Sequence, residues 1–382
     1  MPPDQIILTN ARLVLPDAVL PATLVARDGH IAAIETGTSR LPGALDCAGD
    51  WLIPGLIDLH TDNLERQCQP RAGVRWPAVS AYLAHDAHCA AAAITTVLDA
   101  LCVGDLGYEP GRIQTLRDGV GTTAALSRAG LLKADHALHL RCELAAADMR
   151  SLLAEIPAAA ATRLISVMDH TPGFGQYADL DRFRALRRAD PMTELEIEAL
   201  IARLHAGRAR NLPANRAHVL AHAAAHDLAV ASHDDATEAE IRENAEAGIG
   251  IAEFPVTLAA AAAARAHGMQ IIAGSPNLVR GFSHYGNVAV AELLAAGLVD
   301  ALASDYVPAS LLEAALPPGL DPDQMPARIA LVTAAPARIA RYADRGAIAP
   351  GLRADLAQIH FPPGTSLPPV VRAVWRQGVR IA

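Results

Sequence analysis

Lysine is nearly missing from this chain: Lys133 stands alone among 32 lysines and arginines. Any anion-binding surface must therefore be built from arginine or from metal. Arginine suits that task because its planar fork meets phosphate oxygens bidentately. Cysteine is also sparse. Cys47, Cys68, Cys89, Cys102 and Cys142 are odd in number, scattered and without a CxxC pair, which argues against a disulfide frame or structural zinc and for reduced thiols. The chain opens on Pro2, Pro3 and Asp4 rather than a basic stretch before an apolar one, and its alanine-rich stretches are interrupted by polar residues. Neither a signal peptide nor a membrane span is expected, so the expectation is a soluble, cytoplasmic protein. A formal net charge of −9 speaks against a nucleic-acid surface, which is usually basic. An anionic small molecule remains compatible if arginines gather locally.

What is present is a large apolar content. With 382 residues and 52% hydrophobic content, the chain can bury one large core or two. Short β-like segments at 6–9, 12–15, 22–26, 30–34 and 44–47 are separated by turns, and the texture returns at 370–381. This predicts a small β-sandwich domain formed by both chain ends, residues 1–53 and 349–382, flanking a central domain at 54–348. In that centre, apolar segments near 55–60, 94–101, 137–143, 163–169, 228–233, 249–254, 270–275 and 298–305 alternate with helical stretches. The alternation predicts an α/β fold, a (β/α)8 TIM-like barrel. Thr193-Glu-Leu-Glu196 forms a capping box ahead of an apolar helical pattern. The span 171–225 is long for one crossover and leaves room for a helical cap over the site.

The polar residues that close these segments carry the chemistry. Trp51-Leu-Ile-Pro-Gly-Leu-Ile-Asp-Leu-His60 is an apolar run that ends in His60, Asp62, Asn63 and Glu65. His60 and Asp62 are two apart, so an extended backbone points both to one side. Glu143, His170, His233 and Asp305 close later segments. Any one of them alone would be read as a hydrogen-bonded structural residue. Together, imidazoles and carboxylates at the ends of successive strands form the ligand set of a zinc-like site, at the face where such barrels keep their active residues. Asp305 could hold metal and also take a proton from water. His218, His222 and His226 are spaced four apart on a predicted helix, and His85 and His88 lie on another. Both sets are read as helix surface. Gly173 and Gly175 lack the context of a dinucleotide site.

Pro54-Gly-Leu-Ile-Asp-Leu-His60 and Ala349-Pro-Gly-Leu-Arg-Ala-Asp-Leu356, with the split β-domain, resemble the amidohydrolase superfamily. More selective strings are His60-Thr-Asp-Asn-Leu-Glu65, Arg71-Ala-Gly-Val-Arg-Trp-Pro77, Val167-Met-Asp-His-Thr-Pro-Gly173, Ser232-His-Asp-Asp-Ala-Thr237, Glu253-Phe-Pro255, Pro276-Asn-Leu-Val-Arg-Gly281, Ser283-His284, Gly286-Asn287 and Ser304-Asp-Tyr-Val-Pro308. Together they resemble the α-D-ribose 1-methylphosphonate 5-triphosphate diphosphatase family of the carbon–phosphorus lyase pathway, over nearly the whole chain.

That resemblance implies metal-dependent hydrolysis of a ribosyl triphosphate to the 5-phosphate and pyrophosphate. It implies two divalent ions per chain, zinc first and manganese or iron as alternatives, on His60, Asp62, Glu143, His170, His233 and Asp305. Asp62 stands where most of the superfamily has a second histidine, and the lone lysine precedes the strand ending at Glu143, so Glu143 is the expected bridge. Arg71, Arg75 and Arg280 in loops, with Asn277, Ser283 and His284, are the expected triphosphate contacts. Phe174, Gly175, Phe282 and Tyr285 depart from the family pattern. A homodimer is expected, with neither nucleic acid nor membrane as partner. The alternatives are an amidohydrolase acting on a C–N bond and, in another class, a metal-free binding or assembly protein.

Overall fold

The computed structural model describes residues 5–71, 73–107, 111–158, 160–190, 192–283, 286–362 and 364–382. The chain first lays down β1 (Gln5–Val14), β2 (Val19–Arg27), β3 (His30–Thr36), β4 (Leu45–Asp46) and β5 (Trp51–Pro54). The two segments expected at 6–9 and 12–15 are one strand. Asn10 takes φ 53° between them, shifting the register of β1 on β2 between Leu8 and Ala11, and asparagine tolerates that left-handed conformation better than most residues. Its amide also donates to Asp46 (2.8 Å).

Parallel strands follow: β6 (Leu56–Thr61), β7 (Ile94–Val103), β8 (Asp135–Glu143), β9 (Thr162–Met168), β10 (Ala229–His233), β11 (Ile251–Glu253), β12 (Gln270–Gly274) and β13 (Ala301–Ala303). They form one eight-stranded sheet in chain order, and β13 returns to β6 through a bridge between Thr61 and Asp305. This is the (β/α)8 barrel read from the sequence. Every residue of β6 and β7 is buried, as expected for strands covered on both faces. The connections carry α1 (Asn63–Cys68), α2 (Ala78–Ala91), α3 (Arg112–Arg128), α4 (Met149–Glu155), α5 (Leu180–Arg187), α6 (Glu194–Ala225), α7 (Glu238–Glu246), α8 (Leu258–Ala266) and α9 (Ser275–Arg280). The capping box is present: Thr193 N donates to Glu196 (2.7 Å) and Glu196 N to Thr193 Oγ1 (3.3 Å).

The chain closes with β14 (Leu356–His360), β15 (Val370–Arg376) and β16 (Val379–Arg380). These join β5, β1, β2 and β3 in a second eight-stranded sheet, with β4 beside β1. Leu8, Leu13, Leu24, Ile31, Leu52, Leu356 and Trp375 share one core there. Two compact units result: Met1–Asp99 with Ala125–Ala137 and Ala301–Ala382, and Ala100–Ala124 with Leu138–Asp300. Among the described residues, no helix is long and apolar enough to cross a membrane.

Candidate active site

In the first unit the end of β6 is tied to the end of β13 by backbone. Asp305 N donates to His60 O (2.9 Å) and Asp62 N to Asp305 O (2.6 Å). Asp305 takes φ 55° to do this, a left-handed conformation that aspartate tolerates. His60, fully buried, lies with Nε2 3.6 Å from Asp62 Oδ1, and ligand atoms of His60, Asp62 and Asp305 fall within 4.8 Å of one another. Asp58, two residues before His60, accepts from Ser304 N (3.0 Å) and His60 N (3.3 Å), and burial pushes its carboxyl up to about 6.

The second unit holds a more fully resolved group. Glu143 Oε2 lies 2.8 Å from His170 Nδ1, and Glu253 Oε2 lies 2.6 Å from His233 Nδ1. Each carboxylate takes the Nδ1 proton, which leaves Nε2 as the lone-pair end of each ring. Those ends face one carboxylate: Asp234 Oδ2 is 3.4 Å from His233 Nε2 and 3.8 Å from His170 Nε2. Imidazole nitrogens and a carboxylate converging in this way fit a divalent cation, and carboxylate-held imidazoles are how such ligands are oriented. Glu143, the expected bridge between ions, also accepts from His170 N with its other oxygen (3.3 Å). Sequence reasoning missed Glu253 and Asp234. Glu253 ends β11 just as the chosen residues end theirs, a signal present in the sequence. Asp234 depends on φ 60° immediately after β10, which sequence does not announce. If Glu253 orients His233 in this way, Glu253→Gln should weaken divalent-metal affinity about 10- to 100-fold in a chelator competition.

One polar face of α6 buttresses these ligand loops. His205 Nε2 pairs with Pro172 O (2.8 Å), Arg208 Nε with Asp169 (2.5 Å), Asn211 donates to Ala145 O (2.9 Å), and Asn215 to Leu144 O (2.9 Å) and Ala146 O (2.8 Å). These positions are three or four apart and so share a helix face. The long span at 171–225 thus supplies supports for the loop after Glu143 and for the residues on either side of His170. Phe174 lies under the Arg208 guanidinium (3.6 Å). Gly175, at φ 50°, lets Asp234 approach: an added Cβ there would meet Asp169 O at 3.3 Å and Asp234 Cβ at 3.4 Å.

No family model matches the chain. It is 41% identical over 379 residues, 98% of its own length and 100% of the other, to the alpha-D-ribose 1-methylphosphonate 5-triphosphate diphosphatase of Escherichia coli (strain K12). The chain belongs to that diphosphatase family. A shorter likeness, 31% over 71 residues, links 18% of the chain to 16% of an L-hydantoinase from Paenarthrobacter aurescens. In fold it is similar to the N-acetyl-D-glucosamine-6-phosphate deacetylase from Mycobacterium smegmatis (TM-score 0.63, 16% identity, 99% of this chain and 100% of that one). It is also similar to a 5-methylcytosine deaminase from Klebsiella pneumoniae (TM-score 0.61, 17% identity, 99% and 97%).

For a diphosphatase, the placement of the expected phosphate contacts matters. Arg71 and Arg75 are exposed in the loop after α1, where Arg71 bridges to Val74. Arg280 is exposed at the end of α9 with its guanidinium 4.6 Å from the Phe282 ring. Asn277 is engaged internally: it donates to Val288 O (3.2 Å) and accepts from Val290 N (3.0 Å), pinning the loop that carries Ser283. Ser283 is half-buried. His284 and Tyr285 lie outside the described residues.

The histidines read as helix surface divide. His218 and His226 are exposed on α6, and the His222 and His226 rings stack at 4.3 Å. His85 instead belongs to a buried network in the first unit. Asn63 Nδ2 donates to His85 Nδ1 (2.8 Å), so the His85 Nε2 proton goes to Asp99 Oδ1 (2.7 Å). Asp99 Oδ2 also accepts from the Tyr82 hydroxyl and from His136 Nδ1 (2.9 Å), while His136 Nε2 reaches Asp86 Oδ1 (3.1 Å). Burial alone would lower the His136 pKa, but Asp99 and Asp86 push it up to about 9. Protons fill every link, so these side chains read as a hydrogen-bonded brace on Asn63, the residue after Asp62.

Proposed function

We propose that this chain hydrolyses alpha-D-ribose 1-methylphosphonate 5-triphosphate to the 5-phosphate and pyrophosphate, in phosphonate catabolism. The observation that carries the reading is the 41% identity spanning 98% of this chain and 100% of the curated diphosphatase. The donor sets described above support two divalent ions per chain. His170, His233 and Asp234 would hold one, with Glu143 and Glu253 behind the histidines, and His60, Asp62 and Asp305 would hold the other. Zinc suits imidazole and carboxylate donors, as do manganese and iron. Bound there, such ions supply Lewis acidity toward phosphoryl oxygens and lower the pKa of water.

The chain's own residues do the remainder. Asp305 accepts the proton of the attacking water, and Arg71, Arg75 and Arg280, with Ser283 and His284, grip phosphate oxygens. Attack falls on the α-phosphorus, so that pyrophosphate leaves. The likeness to the hydantoinase spans only 71 residues, which gives C–N hydrolysis less support. We infer further that residues 54–348 form the barrel and 1–53 with 349–382 the β-domain, and that the enzyme works in the cytoplasm as a homodimer.

Hydrolysis in 18O-labelled water is the test. Label is expected in the ribosyl 5-phosphate, with unlabelled pyrophosphate as the other product. Labelled pyrophosphate would move the attack to the β-phosphorus, and release of orthophosphate alone would move it to the γ-phosphorus. Brisk opening of a cyclic amide with no turnover of the triphosphate would instead favour the amidohydrolase reading.

A further inference from the structure

The C-terminal end of α6 repeats histidine at every fourth position, His218, His222 and His226, and only alanine separates the last two. His226 is the residue that ends the helix. Residues four apart share a helix face and lie about 6 Å from one another along its axis. His218 and His226 are exposed and His222 is half-buried. The His222 and His226 rings already meet, with centroids 4.3 Å apart and planes 28° from parallel. His226 Nδ1 lies 2.9 Å from His222 O, and because a carbonyl only accepts, that nitrogen carries the proton and Nε2 keeps the lone pair. None of these side chains enters the clusters described above. His226 precedes β10, whereas His233 closes it, so a strand's length separates the pair from the active-site ligands.

Two histidines four apart on one helix face have the spacing by which helical H-E-x-x-H motifs hold zinc. Stacked rings are not themselves a chelate, since each lone pair lies in its ring plane and an ion needs the ring edges turned toward it. The small alanines between them and the exposure of His226 leave room for that turn. His218 and His226 are about 12 Å apart along the axis, too far to share one ion. The ion therefore takes two imidazoles, with water completing its shell. Its position is also favourable, because a helix C-terminus presents unpaired carbonyls and the negative end of the macrodipole.

We propose that His222 and His226 form a binding site for a first-row transition-metal ion of the nickel, copper or zinc type, on the exposed surface of α6 and apart from the active site. Imidazole selects these ions over magnesium and calcium, which prefer oxygen. An ion there pins the end of the helix whose polar face holds the residues around His170. The site stands independently of the reaction the chain catalyses.

The experiment uses the full-length protein, first loaded with zinc and freed of excess, with Ni2+ alone as the calorimetric probe. Wild type is expected to take up one further ion per chain, while Mg2+ gives no heat. His222→Ala and His226→Ala should each weaken nickel binding about tenfold or more, because losing one of two linked donors forfeits the chelate's effective concentration, and His218→Ala should stay within about threefold of wild type. Nickel should raise the thermal midpoint of wild type and leave that of the double variant unmoved. In a His170→Ala background the loss on His222→Ala should recur, which separates this site from the active-site ligands. Circular dichroism on each variant checks that the helix is intact. Absence of further nickel uptake in wild type, or nickel binding by the double variant within about threefold of wild type, would overturn the proposal. So would a loss on His218→Ala equal to that on His226→Ala, or disappearance of the His222→Ala effect once His170 is removed.

Discussion

Asp305→Asn is expected to keep its metal and to lose about 10²- to 10⁴-fold in kcat, the usual range for removing a general base. The backbone of Asp305 is set by its exchange with His60 O and Asp62 N at φ 55°. Asparagine is among the few residues at ease in that conformation, so the loop should stay in place and one oxygen should remain available as a ligand. What disappears is the ability to accept the proton of the attacking water. The measurement is kcat with metal content determined on the same sample. Near-normal turnover in a metal-replete variant would remove Asp305 from proton transfer.

The second large effect lies in the brace behind Asn63. Asp99 accepts from His85, His136 and Tyr82 while fully buried. Burial would raise its pKa, but the charge on His136 and the hydrogen bonds from His136 and His85 hold it well below the usual carboxylate range. Asp99→Asn strands His136 with one carboxylate in place of two, and breaking a buried pair of this kind costs about 3–5 kcal/mol. Chemical denaturation should show that loss, and a change below about 1 kcal/mol would mean the network is slack.

The same network gives stability a pH dependence. His136 has an ordinary value of 6.5 and is pushed up to about 9 in the folded chain. Its contribution is therefore complete below 6.5 and is lost as pH rises through about 9, in total about 3 kcal/mol. Asp58 and Asp235, both raised by burial to about 6, finish titrating near the lower edge of that window. Wild type should lose stability between these limits and His136→Gln should not; parallel pH curves would sink the assignment.

Much of this protein was legible before its structure. The barrel strands at 56–61, 94–103, 135–143, 162–168, 229–233, 251–253, 270–274 and 301–303 lie where apolar segments were expected, because buried parallel strands leave continuous apolar runs. Residues at their ends, His60, Glu143, His170, His233 and Asp305, stood out because a carboxylate or imidazole after such a run is unusual. His85 was misplaced on a helix surface. Helical spacing shows which residues share a face, but Asp99 and Asn63, which bury His85, come from elsewhere in the chain. The bonds of the Asn277 amide to Val288 O and Val290 N likewise join positions that its neighbours in sequence do not announce.

The sequence by itself determined the fold class and the chemical identity of the groups at strand ends, since both are properties of local pattern: period, burial and residue type. It also determined that an anion clamp must draw on arginine or metal, since Lys133 is the lone lysine. Only the tertiary structure decided which atoms meet. Glu143 and Glu253 hold His170 and His233 by their Nδ1 atoms, Asp234 faces both Nε2 ends, and Arg141 lies 3.4 Å from one of them. Those pairings join residues up to 92 positions apart. They depend on strand stagger and on left-handed turns at Asp234 and Asp305, which the packed barrel imposes and no local propensity encodes.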